Sequence, residues 1–279
     1  MQWWQAAVLG LVEGITEYLP ISSTGHLILA STLLGLATPE NGEALATFEI
    51  AIQGGAILAV LGLYRHRVPQ VWNGLRGRDP AGRRLLVHLV LAFLPAAVLG
   101  PLLDDPIEAH LFRAPPVLAA LLLGGVWMIW LGRRGPQGER EVDDLDVRSA
   151  LLIGLFQCVA MWPGTSRSMM TIAGGVLLGM RPRAAAEFSF LLGVPTLGGA
   201  CVFKLAKNLL GDGGNLFDEL GVGAVVIGFV VAAISAAAAV RWLVGFLGRH
   251  GLAPFGWYRI ALAVVLGALA WSGYLVLDA

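Results

Sequence analysis

A chain of 279 residues, 57% of them hydrophobic and 14% charged, with a mean hydropathy of +0.73, has too little charge to cover the surface of a water-soluble globule. Its formal net charge of +0 argues against bulk attraction to nucleic acid, so no nucleic-acid partner is expected. The composition calls for a lipid bilayer as solvent.

The first segment, Trp3 to Leu19, lacks the cationic start and small-residue cleavage site of a secretory leader and carries Glu13 and Glu17. It therefore reads as part of the mature protein. Apolar stretches that approach the roughly 20 residues needed to cross about 30 Å of hydrocarbon follow at Ala44–Tyr64, Leu85–Leu103, Pro115–Leu131, Ala184–Ala206, Leu220–Leu247 and Trp257–Leu277. Between the first two lie Arg65, Arg67, Arg76, Arg78, Arg83 and Arg84 against the single acid Asp79, which marks a cytoplasmic loop. The next connection, with Asp104, Asp105, Glu108 and Arg113, is expected outside, and the linker at about 133–148, with Arg133, Arg134, Arg140 and Arg148, returns to the cytoplasm. Trp3, Trp4, Trp127, Trp130, Trp257, Tyr258 and Trp271 fall near segment ends, where an aromatic belt accounts for them. Cys158 and Cys201 sit in separate apolar segments without metal-ligand spacing.

The chain repeats itself. Gly10-Leu11-Val12-Glu13 aligns with Gly154-Leu155-Phe156-Gln157, and each run reaches a proline and a hydroxyl-rich turn, Pro20-Ile21-Ser22-Ser23-Thr24-Gly25-His26 and Pro163-Gly164-Thr165-Ser166-Arg167-Ser168. Further on, each half has a glutamate in an apolar helix, Glu49 and Glu187. The apolar pieces flanking each proline are too short for two full spans, so each half reads as a re-entrant helical hairpin plus three transmembrane helices. A unit that crosses an odd number of times must be followed by an inverted copy. The expected fold is an all-α polytopic membrane protein forming one domain over 1–279. It holds two inverted-topology repeats, about 1–135 and about 147–279, with both hairpin tips facing a site near the midplane.

Glu13 and Glu17, four residues apart, project from one face of an apolar helix and suit a divalent-metal seat or a general base. In the first turn, Ser22 or Thr24 suffices to cap the following helix, expected at Leu27–Leu36. Capping does not account for three hydroxyls plus His26, and Ser23 with His26 offers a nucleophile beside a proton carrier at a helix start that binds anions. In the second turn, Arg167 lies among Thr165, Ser166, Ser168 and Thr171, and arginine reads phosphate bidentately. Together these groups suit a diphosphate with a bridging metal. Glu49, Gln53 and Glu187 default to interhelical hydrogen bonding.

The run from Glu13 to His26 resembles the first signature of the bacterial undecaprenyl-diphosphate phosphatase family, also called the bacitracin resistance family. Pro163–Ser168 with Thr171, and Ala186-Glu187-Phe188-Ser189-Phe190-Leu191-Leu192, are similar to its second half. Met169 and Met170 stand where the family pattern has Gly-Ala.

The resemblance implies hydrolysis of undecaprenyl diphosphate to undecaprenyl phosphate and inorganic phosphate, recycling the lipid carrier for peptidoglycan synthesis. It further implies dependence on a divalent metal, Mg2+ or Ca2+, an outward-facing site in the bacterial cytoplasmic membrane, and bacitracin resistance. Carried over by position, Glu13, Glu17, Ser23, His26 and Arg167 form the essential set, supported by Ser22, Ser166 and Thr171. A polyprenyl diphosphate and membrane lipid are the implied partners, and the reading is compatible with a homodimer. The same architecture serves secondary transporters, so a transporter or flippase for a polyprenyl phosphate lipid is the alternative. An intramembrane serine protease ranks below both, since no Gly-x-Ser-x-Gly elbow occurs.

Overall fold

The computed structural model describes residues 1–38, 42–134, 138–210 and 216–273. In chain order its helices are α1 (Trp3–Thr16), α2 (Ser23–Leu33), α3 (Gly42–Leu63), α4 (Arg67–Leu75), α5 (Pro80–Leu111), α6 (Ala114–Gly132), α7 (Val147–Val159), α8 (Arg167–Leu177), α9 (Pro182–Leu210), the short α10 (Leu216–Leu220), α11 (Val222–His250) and α12 (Ala253–Trp271). Among the described residues six helices, α3, α5, α6, α9, α11 and α12, are long and apolar enough to cross a membrane. The chain is an all-α, multi-pass membrane protein.

The six expected spans correspond to these helices, with two differences. The stretch expected as an exterior loop after Leu103 is helical: α5 continues through Pro95, Pro101 and Pro106 to Leu111. Each internal proline removes one backbone donor; Pro95 and Pro101 lie within the apolar span, where the other helical bonds have no substitute in water, and the helix persists past them and on through Pro106. In addition, α2 begins at Ser23 rather than Leu27, which places Ser23, Thr24 and His26 on its opening turns. The end of the last expected span, beyond Gly273, lies outside the described residues.

The two hairpins of the repeat match locally. Helices of 14 and 13 residues, α1 and α7, are each followed by a proline turn and an 11-residue helix, α2 and α8. Ser22 and Ser166, each directly before its 11-residue helix, hold φ of 72° and 76°. The left-handed region is uncommon for a residue with a Cβ, so both turns adopt the same costly backbone. The second hairpin is well fixed at its start: the Asp146 side chain accepts from the Ser149 N–H at 2.7 Å and from Arg140 Nη2 at 2.9 Å. The Ser149 backbone bond first, then the Arg140 guanidinium, hold the Asp146 carboxyl down at about 2.

The chain forms two compact units. One comprises Met1–Leu19, Ser23–Leu63 and Gly193–Arg241, and the other comprises Pro20–Ser22, Tyr64–Leu192 and Trp242–Ala279. In the first, Leu9, Leu27, Phe48, Ile52, Val225 and Ala232 share one buried cluster. Here α1 lies directly on α11: a Cβ added to Gly10 would sit 2.3 Å from the Gly228 carbonyl oxygen, and one added to Gly14 2.0 Å from Ser235 Oγ. In the second unit α6 and α12 meet through reciprocal glycines, since a Cβ on Gly256 would fall 2.5 Å from the Gly125 oxygen. Small residues at such crossings let helices gain contact where lipid offers no hydrophobic drive.

Candidate active site

Within the first unit, α1 presents Glu13, 1% exposed, and Glu17, 7% exposed, one helical turn apart. Carboxylates this well buried in an apolar helix are costly unless hydrogen-bonded. Glu17 is: Ser23 Oγ donates to its Oε2 at 2.9 Å, and the Gln53 amide from α3 reaches the same oxygen at 3.5 Å. The chain turns between Thr16 and Ser23, bringing a hydroxyl at the first residue of α2 back onto the carboxylate at the end of α1. A serine donating to a carboxylate is poised to lose its proton, the arrangement of nucleophile and base. Thr24 and His26 follow on the same half-buried opening turns of α2. Gln53, which the sequence assigns to interhelical bonding, thus touches the candidate base itself.

Glu13 and Glu17 provide hard oxygen donors one turn apart, and among the described residues no group of three or more His, Cys, Asp or Glu is placed to hold a metal ion. A pair of carboxylates fits an ion such as Mg2+, which keeps waters and completes its shell with substrate phosphates.

Within the second unit, Arg167 is the first residue of α8 and Ser166 its cap, with Ser166 Oγ accepting from the Met169 N–H at 3.3 Å. Ser166 and Ser168 share a hydrogen bond at 3.0 Å. Arg167 Nη1 donates to the Ser189 carbonyl at 2.8 Å, and Thr171 Oγ1 lies 2.6 Å from Ser189 Oγ. Ser189 of α9 therefore anchors two signature residues at once. Thr165, Ser168 and Thr171 are buried, while Ser166 and Arg167 are half-buried. The helix start, with its free N–H groups and positive dipole end, and the guanidinium together favour an anion.

Arg259, which the sequence reading did not single out, lies under this turn. Its side chain is 0% exposed, and Nη2 donates to the carbonyls of Ala120 at 2.9 Å and Gly164 at 2.8 Å. Its Nε and Nη1 have no hydrogen-bond partner among the described residues. Met169 is fully buried beside it: a Cβ on Gly124 would lie 2.6 Å from Arg259 Nη2 and 3.0 Å from Met169 Sδ. The bulk of Met169 is thus accommodated by a glycine on α6. Glu187 is occupied elsewhere, accepting from Arg67 Nε at 2.8 Å.

Residues 6–265 match the family described as Bacitracin resistance protein BacA. The undecaprenyl-diphosphatase of Sorangium cellulosum is 49% identical over 271 residues, covering 95% of this chain and 86% of that protein. Undecaprenyl-diphosphatase 2 of Rhodospirillum rubrum is 48% identical, covering 96% of this chain and 95% of its own. The undecaprenyl-diphosphatase of Methylococcus capsulatus is 46% identical, at 97% and 98%. With residues 6–265 matched and relatives 46–49% identical over nearly its whole length, the chain belongs to the bacitracin resistance protein BacA family.

Proposed function

We propose that this protein hydrolyses undecaprenyl diphosphate to undecaprenyl phosphate and inorganic phosphate, in the bacterial cytoplasmic membrane and with its site open to the exterior. The observation that carries the reading is the hydrogen bond from Ser23 Oγ to the buried Glu17 carboxylate at the start of α2. The names of relatives at 46–49% identity supply the substrate. The arginine-rich 65–84 connection supports the orientation.

In this reading Ser23 Oγ attacks the terminal phosphorus while its proton passes to Glu17. The bond from that phosphorus to the bridging oxygen breaks, and polyprenyl phosphate leaves. Water then cleaves the phosphoserine ester, releasing inorganic phosphate and restoring the hydroxyl. His26, on the same opening turns of α2, carries protons to the leaving oxygen. Arg167 reads the diphosphate charge, and the N–H groups at the start of α8 add to it. Glu13 and Glu17 would hold Mg2+ or Ca2+, which when bound neutralises charge on the diphosphate.

Phosphate release from a long-chain polyprenyl diphosphate, by purified protein in detergent and beside the Arg167→Ala variant, tests the proposal. Release by the native chain that is lost in the variant supports it. A monodisperse native preparation that releases nothing points instead to a carrier of the same lipid.

A further inference from the structure

Between the spans α3 and α5 the chain forms the short helix α4. Val68, Trp72 and Leu75 are all exposed. Their spacing of i, i+4 and i+7 puts them in one stripe. The opposite face is pinned: a Cβ on Gly74 would lie 2.3 Å from the Arg83 nitrogen, and one on Gly82 1.9 Å from the Gln70 oxygen. Arg67 anchors the start of the helix through Glu187 and Asp143. The apolar stripe is therefore held in a fixed direction rather than left to collapse onto the protein.

Arginines lie at the end of this stripe and in the turn that follows it. Arg76 places its guanidinium carbon 4.5 Å from the centre of the Trp72 ring. A recess of about 240 Å³, lined by Gly77, Asp79, Pro80, Arg83 and Arg84, opens at the junction with α5. Its one acid is already engaged, since Asp79 Oδ1 accepts from the N–H groups of Ala81 and Gly82. Among the described residues no carboxylate forms an ion pair with Arg65, Arg76, Arg78, Arg83 or Arg84. A short helix with an exposed apolar stripe, a basic rim and flanking spans is built to lie in a lipid interface.

We infer that α4 and the turn leading into α5 form a binding site for an anionic phospholipid. Val68, Trp72 and Leu75 enter the acyl boundary, Arg76 rests on Trp72 at headgroup level, and the headgroup phosphate enters the recess between Arg83 and Arg84. Each arginine at an anionic surface favours binding about fivefold, so the two recess arginines together favour the anionic lipid about twenty-fivefold over a zwitterionic one.

The site is independent of the phosphatase reading and is tested without turnover. Purified protein in zwitterionic detergent is titrated with phosphatidylglycerol, with phosphatidylcholine and with inorganic phosphate, and retained lipid is counted by native mass spectrometry. The expected result is preferential retention of phosphatidylglycerol, weakened about twenty-fivefold in Arg83→Gln/Arg84→Gln with phosphatidylcholine unaffected, and weakened for both lipids in Trp72→Ser. Equal retention of the two lipids by the native chain, or undiminished phosphatidylglycerol in the double variant, overturns the site. Displacement of the lipid by millimolar inorganic phosphate also overturns it, in favour of a site for the free anion.

Discussion

Ser23 Oγ donates to Glu17 Oε2 across 2.9 Å, joining the first residue of one short helix to the residue that closes the helix before it. The two side chains are six positions apart, and only the reversal through Pro20 to Ser22 lets them meet. In the proposed reaction neither is useful alone. Ser23→Ala and Glu17→Gln are each expected to lower kcat by about a hundredfold to ten-thousandfold, the range for losing a nucleophile–base partnership. The double variant should be little worse than either single one, as for groups that act as a unit. Multiplicative losses in a phosphate-release assay would separate the two residues' roles.

Removal of divalent metal with EDTA should abolish release, and Mg2+ or Ca2+ should restore it. Glu13→Gln, which keeps the shape and removes one anionic donor, should raise the metal concentration needed for half-maximal rate by about tenfold or more. Unchanged metal titration in this variant would remove Glu13 from the proposed seat.

Arg259 allows charge and packing to be tested apart. Two of its nitrogens lack partners among the described residues, and burying an unpaired charge is costly. Arg259→Met relieves that cost but takes the donor from the Ala120 and Gly164 carbonyls, so the thermal midpoint should change little. The substitution should also free the Gly164 carbonyl, loosening the turn that carries Thr165 to Ser168 and lowering kcat/KM by about tenfold or more. Arg259→Lys, which retains a cationic donor group, should recover part of the loss. Full activity in the methionine variant would reduce Arg259 to packing.

Ser22 and Ser166 both hold left-handed backbone, which costs a residue with a Cβ about 1 kcal/mol relative to glycine. Ser22→Gly should raise stability by about 0.5–1 kcal/mol while reducing turnover through loss of the hydroxyl. Ser166→Gly should gain less than the strain relief alone, because the cap on the Met169 N–H goes with it. Unfolding midpoints of the two variants, measured side by side, rank them.

Asp146 carries a pH signature. Its folded carboxyl is held at about 2, below the ordinary 3.8, first by the Ser149 N–H and then by Arg140. The carboxylate therefore contributes stability that is complete above about pH 4 and is lost as pH falls toward 2. Asp146→Ala should cost about 1 kcal/mol at neutral pH through the lost cap, and the two proteins should converge in thermal midpoint as the medium is acidified.

Most of this architecture was legible because bilayer length and apolar runs leave little choice, and because the two hydroxyl turns stand out in an apolar chain. Glu13, Glu17, Ser23 and Arg167 could be read on those grounds. Arg259 was as visible by the same reasoning, a single cation in the apolar run from Ala253 to Trp271, yet no motif surrounds it and its partners are backbone carbonyls distant in sequence. The continuation of α5 past Leu103 was hidden by Pro101 and Pro106 and by the acids between them, which read as a loop. Ser189 was concealed inside a signature whose glutamate drew the eye, although the serine is what grips Arg167 and Thr171.

The seating of Gly10 and Gly14 against α11 bears on the cost of each turnover. Where Gly10 meets the Gly228 backbone and Gly14 meets Ser235 Oγ, not even a methyl group fits, so α1 has little room to slide or roll. The carboxylates it bears are held at one height before any substrate arrives. Little reorganisation energy then remains to be spent when charge develops on the phosphate, and an enlarged residue at either glycine should slow catalysis by displacing a helix rather than by touching the lipid.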